Sequence, residues 1–181
     1  MTYYNGRWHL YSEAERRAYG ETQRQKQRDK WHAAWLSKTG LKDRLWTDKA
    51  IATFLGQPKE AGPVKAWRRQ DVTEAESTAA FKNWMQGRCR SLVKRGVLEE
   101  EILSMKLTTP QRELLASIAA GASIRRVEEK PERFKWYRRN KSCTRVARQL
   151  ESLGLINYWS QTRLSGEMRI TAEGLCVLAF S

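Results

Sequence analysis

The chain has 181 residues, with 34 Lys and Arg against 20 Asp and Glu, which gives a net charge of +14 and a pI near 10.0. Its 40% hydrophobic and 10% aromatic content is typical of a globular protein and excludes a chain that is disordered throughout. No run approaches the roughly 18 consecutive apolar residues of a membrane span, and the N-terminus lacks the apolar core of a signal peptide. We therefore expect a cytoplasmic, nucleoid-associated protein without a membrane partner, whose ligands are polyanions.

The cysteines and histidines predict no site for chemistry. Cys89, Cys143 and Cys176 are odd in number and far apart, which fits a reducing cytoplasm better than a disulfide framework. Neither His9 nor His32 has partners at metal-ligand spacing, and no C-x-x-C pair, G-x-S-x-G, P-loop or glycine fingerprint occurs. We expect no metal, no cofactor and no enzymatic activity.

Residues 1–45 are predicted to form a basic helical arm. The stretch "SEAERRAYGETQRQKQRDKWHAAWLSKTG" predicts one long helix, capped by Ser12 and ending at Gly40. Its middle is almost wholly polar, so we expect an exposed arm that packs only at its C-terminal end. Such a charged helix is either a solvated face or a nucleic-acid contact, and both interpretations stay open.

Residues 46–106 are predicted to form a small, mainly helical module. Its pattern predicts a helix capped by Thr47 and ended by Gly56, a proline-rich loop over 58–63, a strand over Val64–Arg68, a helix capped by Asp71, and a further helix over Phe81–Leu98. From Trp46 to Glu76 the chain is similar in outline to the MerR and excisionase-type winged domains, except that the loop replaces their second helix. This segment is therefore either a docking module or a second nucleic-acid contact.

Residues 107–181 contain a helix, a second helix, a two-stranded ribbon and a closing apolar segment. Thr109 fits the N-cap of the first helix, Pro110 its first position and Gly121 its end. The second helix is predicted from Ser142 to Leu153, and the ribbon "INYWSQTR" / "GEMRIT" is predicted to turn at Ser165-Gly166.

This order resembles the MarR and PadR class of winged-helix proteins and related small phage domains. The matching residues are Thr109-Pro110, the segment Leu150–Ile156 and the segment Arg169–Leu175. The resemblance implies a winged-helix domain that binds double-stranded DNA through its second helix. It also implies a homodimer formed by helices that flank the wing, for which Phe81–Leu98 is the candidate.

The chain departs from that family between Gly121 and Ser142. Here "ASIRRVEEKPERFKWYRRNKS" carries no amphipathic helix stripe and alternates as a β-hairpin or an irregular basic loop. Residues 122–148 hold ten basic and three acidic side chains, a net charge of +7, which is half of the whole excess. Trp136 and Tyr137 in this segment serve either packing or base stacking.

The candidate nucleic-acid contacts follow from this arrangement. If Val146, Leu150 and Leu153 face the core, the opposite side of the second helix faces the major groove. The residues expected to contact DNA are Thr144, Arg145, Arg148 and Gln149 on that helix, Arg125, Arg133, Lys135, Arg138, Arg139 and Lys141 in the hairpin, and Gln161, Thr162 and Arg163 in the wing.

The sequence thus predicts a mainly α protein with small β-hairpins, in which a C-terminal winged helix follows a helical N-terminal region. The first functional hypothesis is a sequence-specific or structure-specific DNA-binding protein that acts as a regulator or accessory factor of a bacterium, phage or plasmid. The second is a basic subunit of a ribonucleoprotein or other multi-protein assembly, which uses the winged helix for docking and the N-terminal helix across RNA.

Overall fold

The computed structural model describes the backbone of residues 2–122, 124–130, 133–162 and 165–181. Its side-chain description excludes positions 2, 4, 9, 125, 126, 128–130, 133, 159–162 and 165–167. The chain divides into two compact units, Met1–Trp35 and Leu36–Ser181. This division differs from the three parts, separated after residues 45 and 106, that the sequence predicts.

The first unit contains a hairpin and a long helix. Strands β1 (Thr2–Tyr4) and β2 (Arg7–His9) pair antiparallel, and helix α1 spans Glu13–Ala34. The predicted cap is confirmed: Ser12 Oγ accepts from the Glu15 backbone N–H, and Glu15 Oε2 accepts from the Ser12 backbone N–H at 2.7 Å. The Ser12 backbone N–H and, next, the Ser12 hydroxyl, which donates to Glu15 Oε2 at 2.8 Å, lower the pKa of Glu15. The predicted end at Gly40 is wrong.

The chain leaves the helix six residues before Gly40 because Trp35–Ser37 forms strand β3, whose Leu36 is buried. A three-stranded sheet of order β3-β5-β4 and five helices follow. The further elements before residue 107 are α2 (Lys38–Asp43), α3 (Asp48–Phe54), β4 (Lys59–Ala61), β5 (Val64–Arg68), α4 (Arg69–Ser77), α5 (Ala79–Lys94) and α6 (Glu101–Ser104).

Two sequence predictions in this region need correction. The predicted loop over 58–63 contains β4, which pairs antiparallel with β5. The helix expected to begin at Val72 begins at Arg69 instead, so Asp71 lies in its first turn and does not cap it. Asp71 accepts from Lys59 Nζ at 2.9 Å, which links β4 to the start of α4. The Thr47 cap on α3 is confirmed.

The C-terminal part combines three helices with one antiparallel sheet. Its elements are α7 (Thr109–Ala119), β6 (Ile124–Lys130), β7 (Arg133–Arg138), β8 (Lys141–Ser142), α8 (Thr144–Ser152), β9 (Ile156–Thr162), β10 (Ser165–Ile170) and α9 (Ala172–Ala179). The sheet order is β8-β7-β6-β10-β9, so the basic hairpin and the predicted wing share one sheet. The expected fold class, mainly α with small β-hairpins, is confirmed.

Element boundaries here differ in detail from the sequence predictions. The N-cap of α7 is Thr108, whose backbone N–H donates to Gln111 Oε1 at 2.9 Å, and not Thr109. Ser165 and Gly166 lie within β10 and pair with β9, so the predicted turn position is wrong. The connection falls at residues 163 and 164, outside the described part of the chain.

One hydrophobic core runs through the second unit from Leu36 to Val177 and crosses the predicted boundary near Lys106. Cys89 of α5 and Cys176 of α9, both fully buried, form a disulfide with a Cα–Cα distance of 5.7 Å. The interpretation of all three cysteines as unpaired is therefore wrong. Because the two partners are separated by 87 positions in the sequence, no local spacing reveals the pair.

A buried ion pair fastens the start of this unit to α4. Arg44, only 8% exposed, donates through Nε to Glu76 Oε1 at 3.0 Å and through Nη2 to Glu76 Oε2. Trp46 Nε1 donates to Glu76 Oε1 at 3.0 Å, so the carboxylate is well satisfied. Within the described part of the chain, no helix is long and apolar enough to cross a membrane.

Candidate nucleic-acid interface

Helix α8 separates a buried side from a cationic side. Ala147 and Leu150 are fully buried, and Val146 is half-buried. The residues spaced by three and four positions on the opposite side, namely Arg145, Arg148, Gln149 and Ser152, are all exposed. Leu153, predicted to lie in the core, is 44% exposed, because the helix ends at Ser152 and Leu153 is its C-cap.

Strand β7 holds the N-terminus of α8 in place. The Trp136 backbone N–H donates to Thr144 Oγ1 at 2.9 Å, and the Cys143 backbone N–H donates to the Trp136 carbonyl at 2.8 Å. The Thr144 hydroxyl, predicted to face the groove, is thus engaged with β7 and positions the helix. Burial raises the pKa of the neighbouring Cys143 thiol, which also donates to the Trp136 carbonyl.

Three cations surround the tight turn between β7 and β8. Arg138 and Lys141 are paired positions flanking the turn, and Arg139 lies within it at φ +55°. All three side chains are exposed. Arg138 Nη1 donates to Ser117 Oγ of α7 at 3.2 Å, which connects this turn to the helix preceding the sheet.

Two polar contacts hold side chains on the exposed face of α8. Arg148 Nη2 donates to the Phe134 carbonyl of β7 at 3.2 Å. Gln149 Oε1 accepts from Gln111 Nε2 of α7 at 3.4 Å. Sequence reasoning missed Gln111 as part of this face, although its position three residues after Thr108 is the signature of a helix cap.

The five exposed cations of these elements have no carboxylate partner among the side chains that the structure describes. The salt bridges among the described side chains join Arg17 to Glu13, Lys38 and Lys42 to Asp48, Arg44 to Glu76, and Lys59 to Asp71. None of them involves Arg138, Arg139, Lys141, Arg145 or Arg148. We call these five residues the α8 cationic surface.

The other predicted contacts fall into two groups. Lys135 is half-buried. Trp136 is 5% exposed, and its ring centroid lies 5.3 Å from that of Tyr158. Trp136 therefore packs inside the protein and does not stack on bases. The remaining predicted contacts lie outside the side chains that the structure describes: Arg125, Arg133, Gln161, Thr162 and Arg163.

Comparison of the chain with protein-family models, with curated proteins and with solved structures gives no significant match. Over the described residues, no three His, Cys, Asp or Glu side chains come together as they would around a metal ion. The features of the molecule that bear on function are therefore the geometry and charge of the α8 cationic surface.

Proposed function

We propose that the protein binds double-stranded DNA, with α8 in the major groove, and acts as a regulator or accessory factor in the DNA transactions of a bacterium, phage or plasmid. The observation that carries this proposal is the α8 cationic surface: five exposed cations without carboxylate partners among the described side chains, centred on a helix whose other side is buried.

The dimensions and chemistry of α8 suit the groove. A helix with its side chains is about 10–12 Å across, and a major groove about 12 Å wide admits one such helix. Arg145 and Arg148 have the donor geometry that recognises guanine, and Gln149 that for adenine. The cations of the β7–β8 turn would contact phosphates, which position the helix without selecting a sequence.

The first test separates base reading from phosphate binding. We expect Arg145→Ala together with Arg148→Ala to abolish sequence preference in selection from a random duplex pool. Removal of each bidentate hydrogen-bonded pair should cost about 1–3 kcal/mol of discrimination. The charge-matched control is Lys49→Ala with Lys94→Ala, which removes two cations from α3 and α5 and should leave preference unchanged.

Removing Arg138, Arg139 and Lys141 should instead weaken binding to all duplexes alike. The dependence of log Kd on log salt should flatten by roughly 0.9 for each phosphate that is no longer neutralised. Absent or salt-insensitive duplex binding by the full chain would contradict the proposal. A preference for structured RNA over duplex DNA in direct competition would support the ribonucleoprotein hypothesis in its place.

A further inference from the structure

The N-terminal hairpin exposes two aromatic rings that contact each other at a tilt of 59°. Tyr3 of β1 and Trp8 of β2 are cross-strand partners with ring centroids 5.3 Å apart. Their exposures are 60% and 70%, and Tyr11, just after the hairpin, is 57% exposed. Large rings usually contribute to a core, so a paired and exposed set of this kind marks a surface for a ligand or partner.

A shallow cleft lies within the same unit, between the hairpin turn and one face of α1. Its volume is about 370 Å³, and it opens beside a stripe of residues spaced as successive turns of the helix. The lining residues are Asn5 of the turn and Glu13, Arg16, Arg17, Gly20 and Arg24 of the helix. No residue of α1 is fully buried, so this helix face is available to a ligand.

From this pairing of exposed rings with an arginine-lined cleft we infer that the Met1–Trp35 unit binds single-stranded nucleic acid. Unpaired bases stack on Tyr3 and Trp8, and the backbone phosphates lie along the arginine stripe, where they compete with Glu13 for Arg17. A duplex hides its base faces, so it would leave both rings unused. An apolar protein partner would match the rings but not a cleft lined entirely by polar, charged and glycine residues.

This inference is independent of the proposed role of α8 in duplex binding. The test uses the full chain and fluorescence anisotropy with labelled oligo(dT) and oligo(rU) of about 15 nucleotides, a length within the range of known single-strand sites. Tyr3→Ala with Trp8→Ala should weaken binding roughly tenfold or more, since stacking on one ring alone contributes about 1–3 kcal/mol. Tyr3→Phe with Trp8→Phe keeps the aromatic faces and should stay within a few-fold of wild type.

A charge variant tests the cleft separately from the rings. Arg24→Ala should weaken binding to both oligonucleotides, whereas Lys49→Ala, which removes an exposed cation from α3, should not. Arg145→Ala with Arg148→Ala should leave single-strand binding intact, so failure here is distinguishable from failure of the duplex proposal. The ratio of the oligo(dT) and oligo(rU) affinities shows whether the ligand is DNA or RNA.

Three outcomes would overturn the inference. The first is wild-type binding by the double alanine variant; the second is a reduction in affinity in the phenylalanine variant as large as in the alanine variant. The third is a dimer that the alanine variant converts to a monomer while oligonucleotide binding is unchanged, because the rings would then contact a second copy. If the alanine variant does not form the hairpin, the inference is tested by the other two variants: Tyr3→Phe with Trp8→Phe should keep oligonucleotide binding, and Arg24→Ala should weaken it.

Discussion

Arg139 occupies a backbone conformation that most side chains avoid. At φ +55° its Cβ approaches the backbone closely, and glycine or asparagine is the usual occupant of such a turn position. Asn140 is the very next residue, yet the cation takes the strained place. Strain of this kind concentrates where a side chain has a task, which under the duplex proposal is contact with phosphate.

Replacing Arg139 should separate stability from binding. We expect Arg139→Gly to keep or raise the free energy of unfolding by up to about 1 kcal/mol, because glycine adopts positive φ without the Cβ penalty. Duplex affinity should fall severalfold, and Arg139→Lys should preserve it. Urea unfolding and anisotropy measure the two effects; unchanged duplex affinity in Arg139→Gly would exclude this residue from the interface.

For single residues, the sequence predicts which side chains are exposed better than it predicts which hydrogen bonds they form. Arg145, Arg148 and Gln149 lie on the outer side of α8 as the 3.6-residue period requires. The sequence predicts that Thr144 faces the groove, but its hydroxyl is hydrogen-bonded to the backbone of β7. It places Leu153 in the core, but Leu153 is exposed because α8 ends one residue before it. A periodic pattern specifies neither the partner from another strand nor the residue at which a helix ends.

Among the elements, α9 depends on one close approach. A Cβ on Gly174, in its first turn, would lie 2.2 Å from the Leu155 carbonyl oxygen and 2.8 Å from Ile170 Cγ1. Thr171 caps the same turn, accepting from the Gly174 N–H at 3.1 Å and donating to the Gly154 carbonyl at 2.7 Å. The first turn of α9 is thereby fitted against the chain that enters β9.

Enlarging Gly174 should disturb this fit. We expect Gly174→Ala to lower the free energy of unfolding by about 1–3 kcal/mol, since the backbone of Leu155 must move to make room. The matched control is Gly87→Ala in α5, where the added methyl meets open space and should stabilise the helix by up to about 1 kcal/mol. Equal stability of Gly174→Ala and wild type in chemical unfolding would show that the contact is not tight.

Element types could be predicted more fully than element boundaries. Alternation over Ile124–Val127 and Phe134–Arg138 predicts a β-hairpin or an irregular basic loop where MarR-type domains have a helix, and the hairpin of β6 and β7 lies there. The sequence does not predict strand β4 because its three residues, which lie next to prolines, are too few to show the alternation of apolar and polar side chains that is typical of a strand. The homodimer expected through Phe81–Leu98 stays a prediction, although apolar side chains of that helix already pack within the chain, namely Phe81, Met85, Cys89 and Leu92.

On the scale of the whole molecule, the disulfide between Cys89 and Cys176 joins the middle of the second unit to its final helix. It closes a loop of 87 residues in sequence, and a cross-link of that span restricts the unfolded chain substantially. Alongside it, Gln86 Nε2 of α5 donates to the Ala179 carbonyl of α9 at 2.7 Å. The two helices are therefore joined covalently and by hydrogen bonding.

Reduction should reveal what this bond contributes. We expect the free energy of unfolding to fall by about 2–4 kcal/mol in dithiothreitol. Cys89→Ala with Cys176→Ala should match the reduced protein and be indifferent to the reductant, which controls for effects on Cys143. Identical unfolding midpoints with and without reductant, or free thiols at both positions by mass spectrometry, would contradict the pairing.

Because one core continues across residue 106, the last 75 residues do not form an independent domain. A chimera that carried only these residues would lack helix α5, against which α9 packs. Under the duplex proposal, a new sequence preference would therefore arise by exchanging side chains on α8 within the intact chain, while the helices around α8 are kept unchanged.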